Sequence, residues 1–236
     1  MKKTVFFILL LFWALQLKAQ TIILDNLLKK HVNNNGWVNY TTFKNELEKL
    51  DNYIVYLTKT TPNKKWSKNK EKAFWINAYN AYTIKLILEN YPLKSILDFK
   101  INEEDAWNIP FAKIGGKYYT LNAIEHEILR KKFNDPRIHV GINCASVSCP
   151  KLANFAFTEK NVDSKLEDLM KKFINDNSRN KINSKKIKLS KIFEWFTEDF
   201  TKKGSLIDYL NQYSSIKINK KAKISFLNYD WKLNKQ

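Results

Sequence analysis

A long segment from Asn69 to Tyr91 predicts one helix that is apolar on most of its sides. Its apolar side chains recur every three or four residues, and aromatic side chains widen this belt to the adjacent sides. The residues of the belt are Phe74, Trp75, Ile76, Ala78, Tyr79, Ala81, Tyr82, Ile84 and Leu88. Because such a helix has little polar surface to present to water, it is predicted to be the buried centre of the fold.

Two polar side chains, Asn77 and Asn80, lie inside this apolar helix. A buried amide must find hydrogen-bond partners. In the structural interpretation, which the sequence favours for either residue alone, they tie neighbouring loops to the helix. In the functional interpretation, one of them orients a catalytic imidazole or donates to an oxyanion. We therefore keep Asn80 as a candidate catalytic residue and Asn77 as a candidate substrate contact.

The remaining patterns predict a mostly helical α+β fold with a small β-sheet. Helical spacings cover 21–34, 41–59, 158–175, 190–200 and 205–213, and strand patterns cover 137–143, 181–189 and 222–226. The central helix is expected to pack against the sheet that contains Arg137 to Asn143. Since the chain of 236 residues shows no linker, residues 20–236 are predicted to form a single domain.

The first 19 residues have the pattern of a secretory signal peptide. Two lysines precede the apolar run Val5 to Leu15, and Leu17-Lys18-Ala19 forms a cleavage pattern before Gln20. The run is too short to span a bilayer as an anchor. The sequence therefore predicts an exported protein, periplasmic or extracellular, with no transmembrane segment after cleavage.

The formal net charge of +18 invites a nucleic-acid hypothesis. Of the 41 basic residues only Arg130, Arg137 and Arg179 are arginines, and arginine is the usual reader of phosphates and bases. The lysines are spread along the chain rather than forming one stripe. These observations argue against specific nucleic-acid binding and leave only weak attraction to an anionic envelope surface or polymer.

The segment Asp135 to Leu152, DPRIHVGINCASVSCPKL, contains both cysteines of the chain and one of its three histidines. Its first half alternates and is β-branched, which favours a strand, and its second half is small and polar, which favours a tight turn. A cysteine at the end of a strand, beside backbone N–H groups, is a candidate thiolate. The alternative is that Cys144 and Cys149 form a disulfide, as is common in exported proteins.

The predicted strand decides which histidine is the better partner for Cys144. His139 lies five residues before Cys144, about 16 Å along an extended chain, whereas His126 belongs to a different element. Cys144 with His126 is therefore the favoured pair, and we expect their sulfur and nitrogen within about 4–5 Å of each other. Asn77, Asn80 and Asp199 are candidates to orient the imidazole.

Asn122-Ala123-Ile124-Glu125 matches a capping box at the start of the helix that carries His126. In such a box the Glu125 side chain is engaged in capping the helix and is not needed as a catalyst. His126 on the same helix is either a capped histidine at the solvent edge or a functional one.

Five segments together resemble the domain-of-unknown-function family 547. They are FWINAYNAY (74–82), LNAIEHEILR (121–130), DPRIHVGINCASVSCPKL (135–152), LSKIFEWFTEDF (189–200) and FLNYDWKLN (226–234). The resemblance covers nearly the whole chain after residue 19. It implies functional positions at Cys144, Glu125 and His126. It further implies a papain-like, permuted thiol-protease-like site.

Three functions of different classes follow. The first is a thiol hydrolase or acyltransferase acting on a peptide or envelope-associated substrate, with His139, Asn143, Asn77 and Trp107 as substrate contacts. The second is a non-catalytic envelope binding module that uses a groove near Trp107 and Tyr118. The third is a thiol redox protein, although the cysteine spacing is not CxxC. No metal-binding motif or phosphate-binding loop is present, so no metal or cofactor is predicted.

Overall fold

The computed structural model describes residues 20–236, so the predicted signal peptide lies outside the described residues. The described chain is mostly helical with small β-sheets, which confirms the predicted α+β class. Its buried apolar side chains form one core cluster. No helix within residues 20–236 has the length and apolarity that crossing a membrane requires.

The helices and strands have the following bounds. The α-helices are α1 (20–31), α2 (Tyr40–Lys44), α3 (Leu47–Lys59), α4 (Lys68–Asn90), α5 (Lys131–Phe133), α6 (Val162–Ile174), α7 (Ile192–Trp195), α8 (Thr197–Thr201) and α9 (Leu206–Leu210). A π-helical segment (Ala123–Arg130) precedes α5, and 3₁₀ helices span Ile96–Asp98 and Pro136–Val140. The strands are β1 (Lys100–Ile101), β2 (Glu104–Asp105), β3 (Ala112–Ile114), β4 (Lys117–Tyr119), β5 (Lys181–Ile182), β6 (Lys186–Leu189) and β7 (Lys223–Phe226).

Helix α4 is the predicted central helix, and every residue from Lys72 to Ile84 is buried. Ser67 caps it, because the Ser67 side chain accepts a hydrogen bond from the Lys70 backbone N–H. The helix packs against α2, α3, α6 and the π-helical segment. The predicted packing against a sheet that contains Arg137 to Asn143 is therefore wrong, and the apolar belt is covered mainly by other helices.

The predicted strand at Arg137 to Asn143 is also wrong. Pro136 begins a 3₁₀ helix, and the Asp135 side chain caps it by accepting from the Arg137 N–H. Proline at the first helical position with aspartate before it is a helix-start signal, which outweighed the β-branched alternation. The helix ends at Gly141, where a Cβ atom would lie 2.8 Å from Leu166 Cδ2.

The strand predictions after residue 180 are confirmed in position. Strands β5 and β6 form an antiparallel hairpin, and β7 adds to β6 in parallel, with Ile187 opposite Ile224. The predicted aromatic helix over 190–200 is interrupted at Phe196, which separates α7 from α8. This interruption sets the direction of α8, which carries Asp199.

The amides of Asn77 and Asn80 each bind both polar groups of a neighbouring loop's backbone. Asn77 donates to the Phe157 carbonyl (2.7 Å) and accepts from the Phe157 N–H (2.9 Å). Asn80 donates to the Gly141 carbonyl (2.8 Å) and accepts from the Asn143 N–H (2.9 Å). These contacts match the structural interpretation, in which the central helix is tied to the loops that cross it.

We expect Asn77→Ala to lower the free energy of unfolding by about 2 kcal/mol, because both hydrogen bonds are lost inside the core. Urea unfolding measures the change. Asn90→Ala is the matched control on the same helix, since the exposed Asn90 amide binds only the Leu86 carbonyl. The control should change the free energy by less than about 0.5 kcal/mol. Equal effects of the two variants would contradict the assigned role.

Candidate thiol site

A cavity of about 260 Å³ brings Cys144, Glu125, His126 and His139 together with Trp107. Five of the residues predicted for the site therefore line one concave surface. Asn77, Asn80 and Asn143 do not line it. Asn80 and Asn143 hold the loop that carries the wall residues Ile142 and Cys144, whereas Asn77 binds Phe157, which does not line the cavity.

The turn that carries Cys144 is built by Asn143. Its side chain donates to the Pro150 carbonyl (2.8 Å) and accepts from the Ala145 N–H (2.8 Å). Ala145 adopts a left-handed conformation with φ of 60°. A non-glycine residue in this region is strained, and such strain is concentrated at functional sites. Asn143, predicted as a substrate contact, thus shapes the loop that presents the thiol.

Cys144 and Cys149 are both free thiols, and they differ in protonation. The Cys144 sulfur contacts the hydroxyl groups of Ser146 (3.1 Å) and Tyr229 (3.3 Å), and the Cys149 sulfur accepts from the Cys144 N–H (3.1 Å). The pKa of Cys144 is lowered to about 6, first by a hydrogen bond from Cys149 and then by those from Ser146 and Tyr229, against the effect of burial. Burial raises the pKa of Cys149 well above its ordinary value. Cys144 is therefore the thiolate of the pair.

The predicted capping box at Asn122 and Glu125 is wrong. The Thr120 hydroxyl caps this end by accepting from the Ala123 N–H (2.9 Å), and the Asn122 side chain turns away to donate to Asn108. The following turns are π-helical, a form that is frequent at functional sites. This geometry directs the Glu125 side chain into the cavity.

Glu125 is a buried carboxyl group that accepts a hydrogen bond from the Tyr79 hydroxyl (3.2 Å). The pKa of Glu125 is raised to about 7, first by burial and then by the negative charge of the Cys144 thiolate, against the effects of Tyr79 and Arg130. Near neutral pH this group both gives and takes a proton. This is the property required of a general acid–base.

His126 lines the cavity, and Arg130 holds its ring. An Arg130 Nη1–H group lies 3.1 Å from His126 Nδ1 and donates to it, since arginine is only a donor, which leaves the ring proton on Nε2. Burial and then the charge of Arg130 lower the pKa of His126. Among the hydrogen bonds of residues 20–236, none joins His126 to the Cys144 sulfur, whose partners are the two hydroxyl groups.

His139 is the imidazole that a carboxylate orients. Its Nε2 atom lies 2.8 Å from Asp199 Oδ2, its ring stacks on Phe196 at 4.2 Å, and its side chain is 1% exposed. Its Nδ1 atom lies 4.0 Å from Glu125 Oε1. Burial lowers the pKa of His139 in spite of Asp199, so the neutral ring keeps its Nδ1 lone pair toward Glu125. His139 was predicted to lie too far from Cys144 only because residues 137–143 were expected to form a strand, and Pro136–Val140 is a 3₁₀ helix instead.

One protein-family model matches the part of the chain that contains Glu125, His126, His139 and Cys144. The family model described as "Protein of unknown function, DUF547" matches residues 63–174. This match places residues 63–174 of the chain in the DUF547 family. No curated protein and no solved structure matched the chain.

The DUF547 match contains part of the site, namely Glu125, His126, His139 and Cys144. Asp199 and Tyr229 lie after it and reach the site by the fold of the C-terminal segments. The sequence analysis missed Tyr229, Ser146 and Tyr79 as site residues. Their signals were present in the FLNYDWKLN segment, in the small residues after Cys144 and in the central helix, where Tyr79 was interpreted as core.

Proposed function

We propose that this DUF547 protein is a thiol hydrolase or acyltransferase that acts on peptide or amide bonds, with Cys144 as the nucleophile. One observation carries the proposal. A thiol whose pKa is lowered to about 6 and a buried carboxyl whose pKa is raised to about 7 line one cavity. Between these pH values the nucleophilic thiolate and the protonated acid coexist, as an acyl-transfer reaction requires.

In the proposed reaction, the Cys144 thiolate attacks the carbonyl carbon of the substrate and forms a carbon–sulfur bond. The carbon–nitrogen bond breaks as the Glu125 carboxylic acid protonates the leaving amine. The resulting thioester is then attacked by water, or by an acceptor amine, whose proton passes to the Glu125 carboxylate. The carbon–sulfur bond breaks and the thiolate is restored. Protons and charge balance over the two steps.

His139 and Asp199 complete the proposed machinery as positioning residues. The 4.0 Å between His139 Nδ1 and Glu125 Oε1 is longer than a hydrogen bond, and such distances tighten when a substrate binds. A thiol and an imidazole held by a polar side chain are also parts of a papain-like site, although the side chain there is an asparagine amide and here it is the Asp199 carboxylate. In this proposal His139, rather than His126, is the imidazole that supports the reaction, and it acts through Glu125. Export, which residues 1–19 predict, would mean that the proposed substrate is periplasmic or extracellular.

The first test is the pH dependence of alkylation by iodoacetamide, followed by mass spectrometry of the Cys144 peptide. We expect the rate to be half-maximal near pH 6, because only the thiolate reacts. An ordinary thiol has its midpoint at about pH 8.5. Cys144→Ala is the control that removes the signal. A midpoint near pH 8.5 would contradict the proposal and favour the binding-module alternative at Trp107 and Tyr118.

We expect Cys149→Ala to raise the midpoint of Cys144 alkylation by at least about one pH unit, because Cys149 is the foremost group that lowers the Cys144 pKa. Tyr229→Phe keeps the ring and removes one hydroxyl, so it should produce a smaller rise. Asn154→Ala, outside the site, should leave the midpoint unchanged. An unchanged midpoint in Cys149→Ala would show that another group supports the thiolate.

The contact between the two thiols favours a second candidate function, thiol redox chemistry. Hydrogen peroxide would oxidise the Cys144 thiolate to a sulfenic acid, and Cys149 would displace water from it to form a disulfide. Peroxide treatment followed by non-reducing mass analysis separates the candidates. Rapid formation of this disulfide without any amidase or transferase activity would support the redox function instead.

A further inference from the structure

Four aromatic side chains, Trp107, Trp195, Tyr229 and Trp231, form the outer wall of the thiol cavity. The rings of Trp107 and Trp231 meet at 75° with centroids 5.8 Å apart, so they form a corner. Trp195 stacks beside Trp231 at 5.9 Å and is 46% exposed, and Tyr229 packs on Trp231 at 4.5 Å. Such a set of ring faces is a binding surface for a flat group or a cation.

The charge of this cavity is opposite to that of the chain. Although the sequence contains 41 lysines and arginines, none of them lines the cavity as the described residues form it. At pH 6.5 the charged groups that line it are the Asp105 carboxylate and the Cys144 thiolate, while the Glu125 carboxyl group, whose pKa is raised to about 7, is mostly neutral. The nearby Arg130 is paired with Asp199 and lies over Phe196. A positive group is therefore favoured in the cavity and an anion is disfavoured.

Asp105 directs this negative charge toward the aromatic corner. Its Oδ1 atom accepts from the backbone N–H groups of Trp107 (2.9 Å) and Asn108 (3.2 Å), which fixes the carboxylate at the start of the loop that carries Trp107. Its Oδ2 atom has no hydrogen-bond partner among the described residues. Lys100 is opposite Asp105 in the β1–β2 register, and no ion pair joins them within the described chain.

We infer that the substrate of this site carries a cationic amine next to the bond that is cleaved or transferred. The inference rests on the proposed function. The ammonium group lies in the corner of Trp107 and Trp231, where it contacts the ring faces, and it pairs with Asp105. A sugar would also stack on these rings, but it needs several hydrogen-bonding groups at the rim. The Asn122 amide, which lines the cavity, already donates to Asn108.

Three acrylamides that differ in charge test this inference, because each forms a stable thioether with the Cys144 thiolate. They are neutral acrylamide, a cationic trimethylammoniopropyl acrylamide and an anionic sulfonate acrylamide. At pH 6.5 the rate at which each reagent modifies Cys144 is divided by the rate at which the same reagent modifies 2-mercaptoethanol. This ratio removes differences in the intrinsic reactivity of the reagents. We expect the cationic reagent to modify Cys144 at least about tenfold faster than the anionic one, which is about 1.4 kcal/mol.

Asp105→Asn keeps the shape and the Oδ1 acceptor, and it should reduce this preference to about threefold or less. Asp168→Asn is the matched control, because Asp168 is exposed and pairs only with Lys172. It should leave the preference unchanged. In each variant the preference is taken as the ratio of the rates with the two charged reagents, so that any change in the reactivity of the thiolate itself cancels. In Asp168→Asn the rate with neutral acrylamide should also stay within about twofold of that of the unmodified chain.

Two results overturn different statements. If neutral acrylamide does not modify Cys144 at pH 6.5, the proposed function fails, and the substrate inference fails with it. If neutral acrylamide reacts but the charge preference is absent or reversed, only the cationic substrate is refuted. Protection of Cys144 by N-acetylglucosamine oligomers, without protection by tetramethylammonium, would likewise refute it and identify a sugar-binding wall.

Discussion

Asp199→Ala is expected to lower the free energy of unfolding by about 3–5 kcal/mol, the cost of removing one partner from a buried ion pair. The Asp199 carboxylate is 10% exposed and accepts from Arg130 Nε (2.6 Å) and His139 Nε2 (2.8 Å). The substitution leaves a half-buried guanidinium and a buried imidazole N–H without their acceptor. Urea or thermal unfolding at neutral pH measures the change.

The same substitution should also disturb the chemistry of the site. Asp199 holds the His139 ring, and Arg130, which binds Asp199, also holds His126. Asp199→Asn retains one acceptor and should cost less than the alanine variant. The control is Asp168→Ala, an exposed ion-pair residue, with an expected change of less than about 0.5 kcal/mol. A loss below about 1 kcal/mol in Asp199→Ala would show that this network contributes little.

Glu125→Gln should stabilise the protein relative to the unmodified chain, and this stability difference should be about 3 kcal/mol larger at pH 8 than at pH 4.5. The rise of the Glu125 pKa from 4.5 to about 7 corresponds to a free energy of this size. Below pH 4.5 the folded and unfolded states both hold the proton, so the carboxyl group contributes no pH dependence. Between pH 4.5 and 7 only the folded state holds it, and stability falls as pH rises.

Glutamine is neutral at every pH and keeps an oxygen that accepts from the Tyr79 hydroxyl. The stability difference between the variant and the unmodified chain should therefore grow through the window from pH 4.5 to 7 and then level off. Urea unfolding at several pH values gives this difference directly. Glu127→Gln, two residues later and 60% exposed, should show no such growth. A difference that is constant with pH would mean that Glu125 ionises as an ordinary carboxyl group and is not the general acid.

The effect of Glu125 on stability is connected with its proposed role in proton transfer. The cost of burying its charge above pH 7 is the same free energy that keeps the proton available near neutral pH. If the proposed reaction holds, Glu125→Gln gains stability and loses proton transfer. A gain of stability with a loss of function at one residue is typical of an active site.

Several features were predictable from the sequence because they depend on neighbours along the chain. The apolar belt from Phe74 to Leu88 predicted a buried central helix, since helical periodicity reports how much of a helix is covered. The burial of Asn77 and Asn80 required partners, and the structural interpretation named loops as those partners. The β5–β6 hairpin followed from alternation around Asn183 and Ser184. Cys144 was identified as the central thiol.

Periodicity reports that a side is buried, but it does not report what covers it. The central helix is covered mainly by helices rather than by a sheet that contains Arg137 to Asn143, and the β-branched residues after Pro136 form a 3₁₀ helix instead of a strand. Both errors follow from interpreting a local pattern where proline and tertiary packing decided the conformation. The second error excluded His139 as the partner of Cys144 and left it only as a candidate substrate contact.

The sequence by itself determined a helical core, the thiol loop and the family, because each depends on a pattern within a contiguous segment of the chain. Only the tertiary structure decided the chemistry of the thiol site. Glu125 enters the cavity because Thr120 caps its helix, and Asp199 and Tyr229 arrive from segments 60 and 85 residues away along the chain from His139 and Cys144. The pKa values of Cys144 and Glu125 depend on burial and on charges within a few ångströms, and those distances exist only in the folded chain.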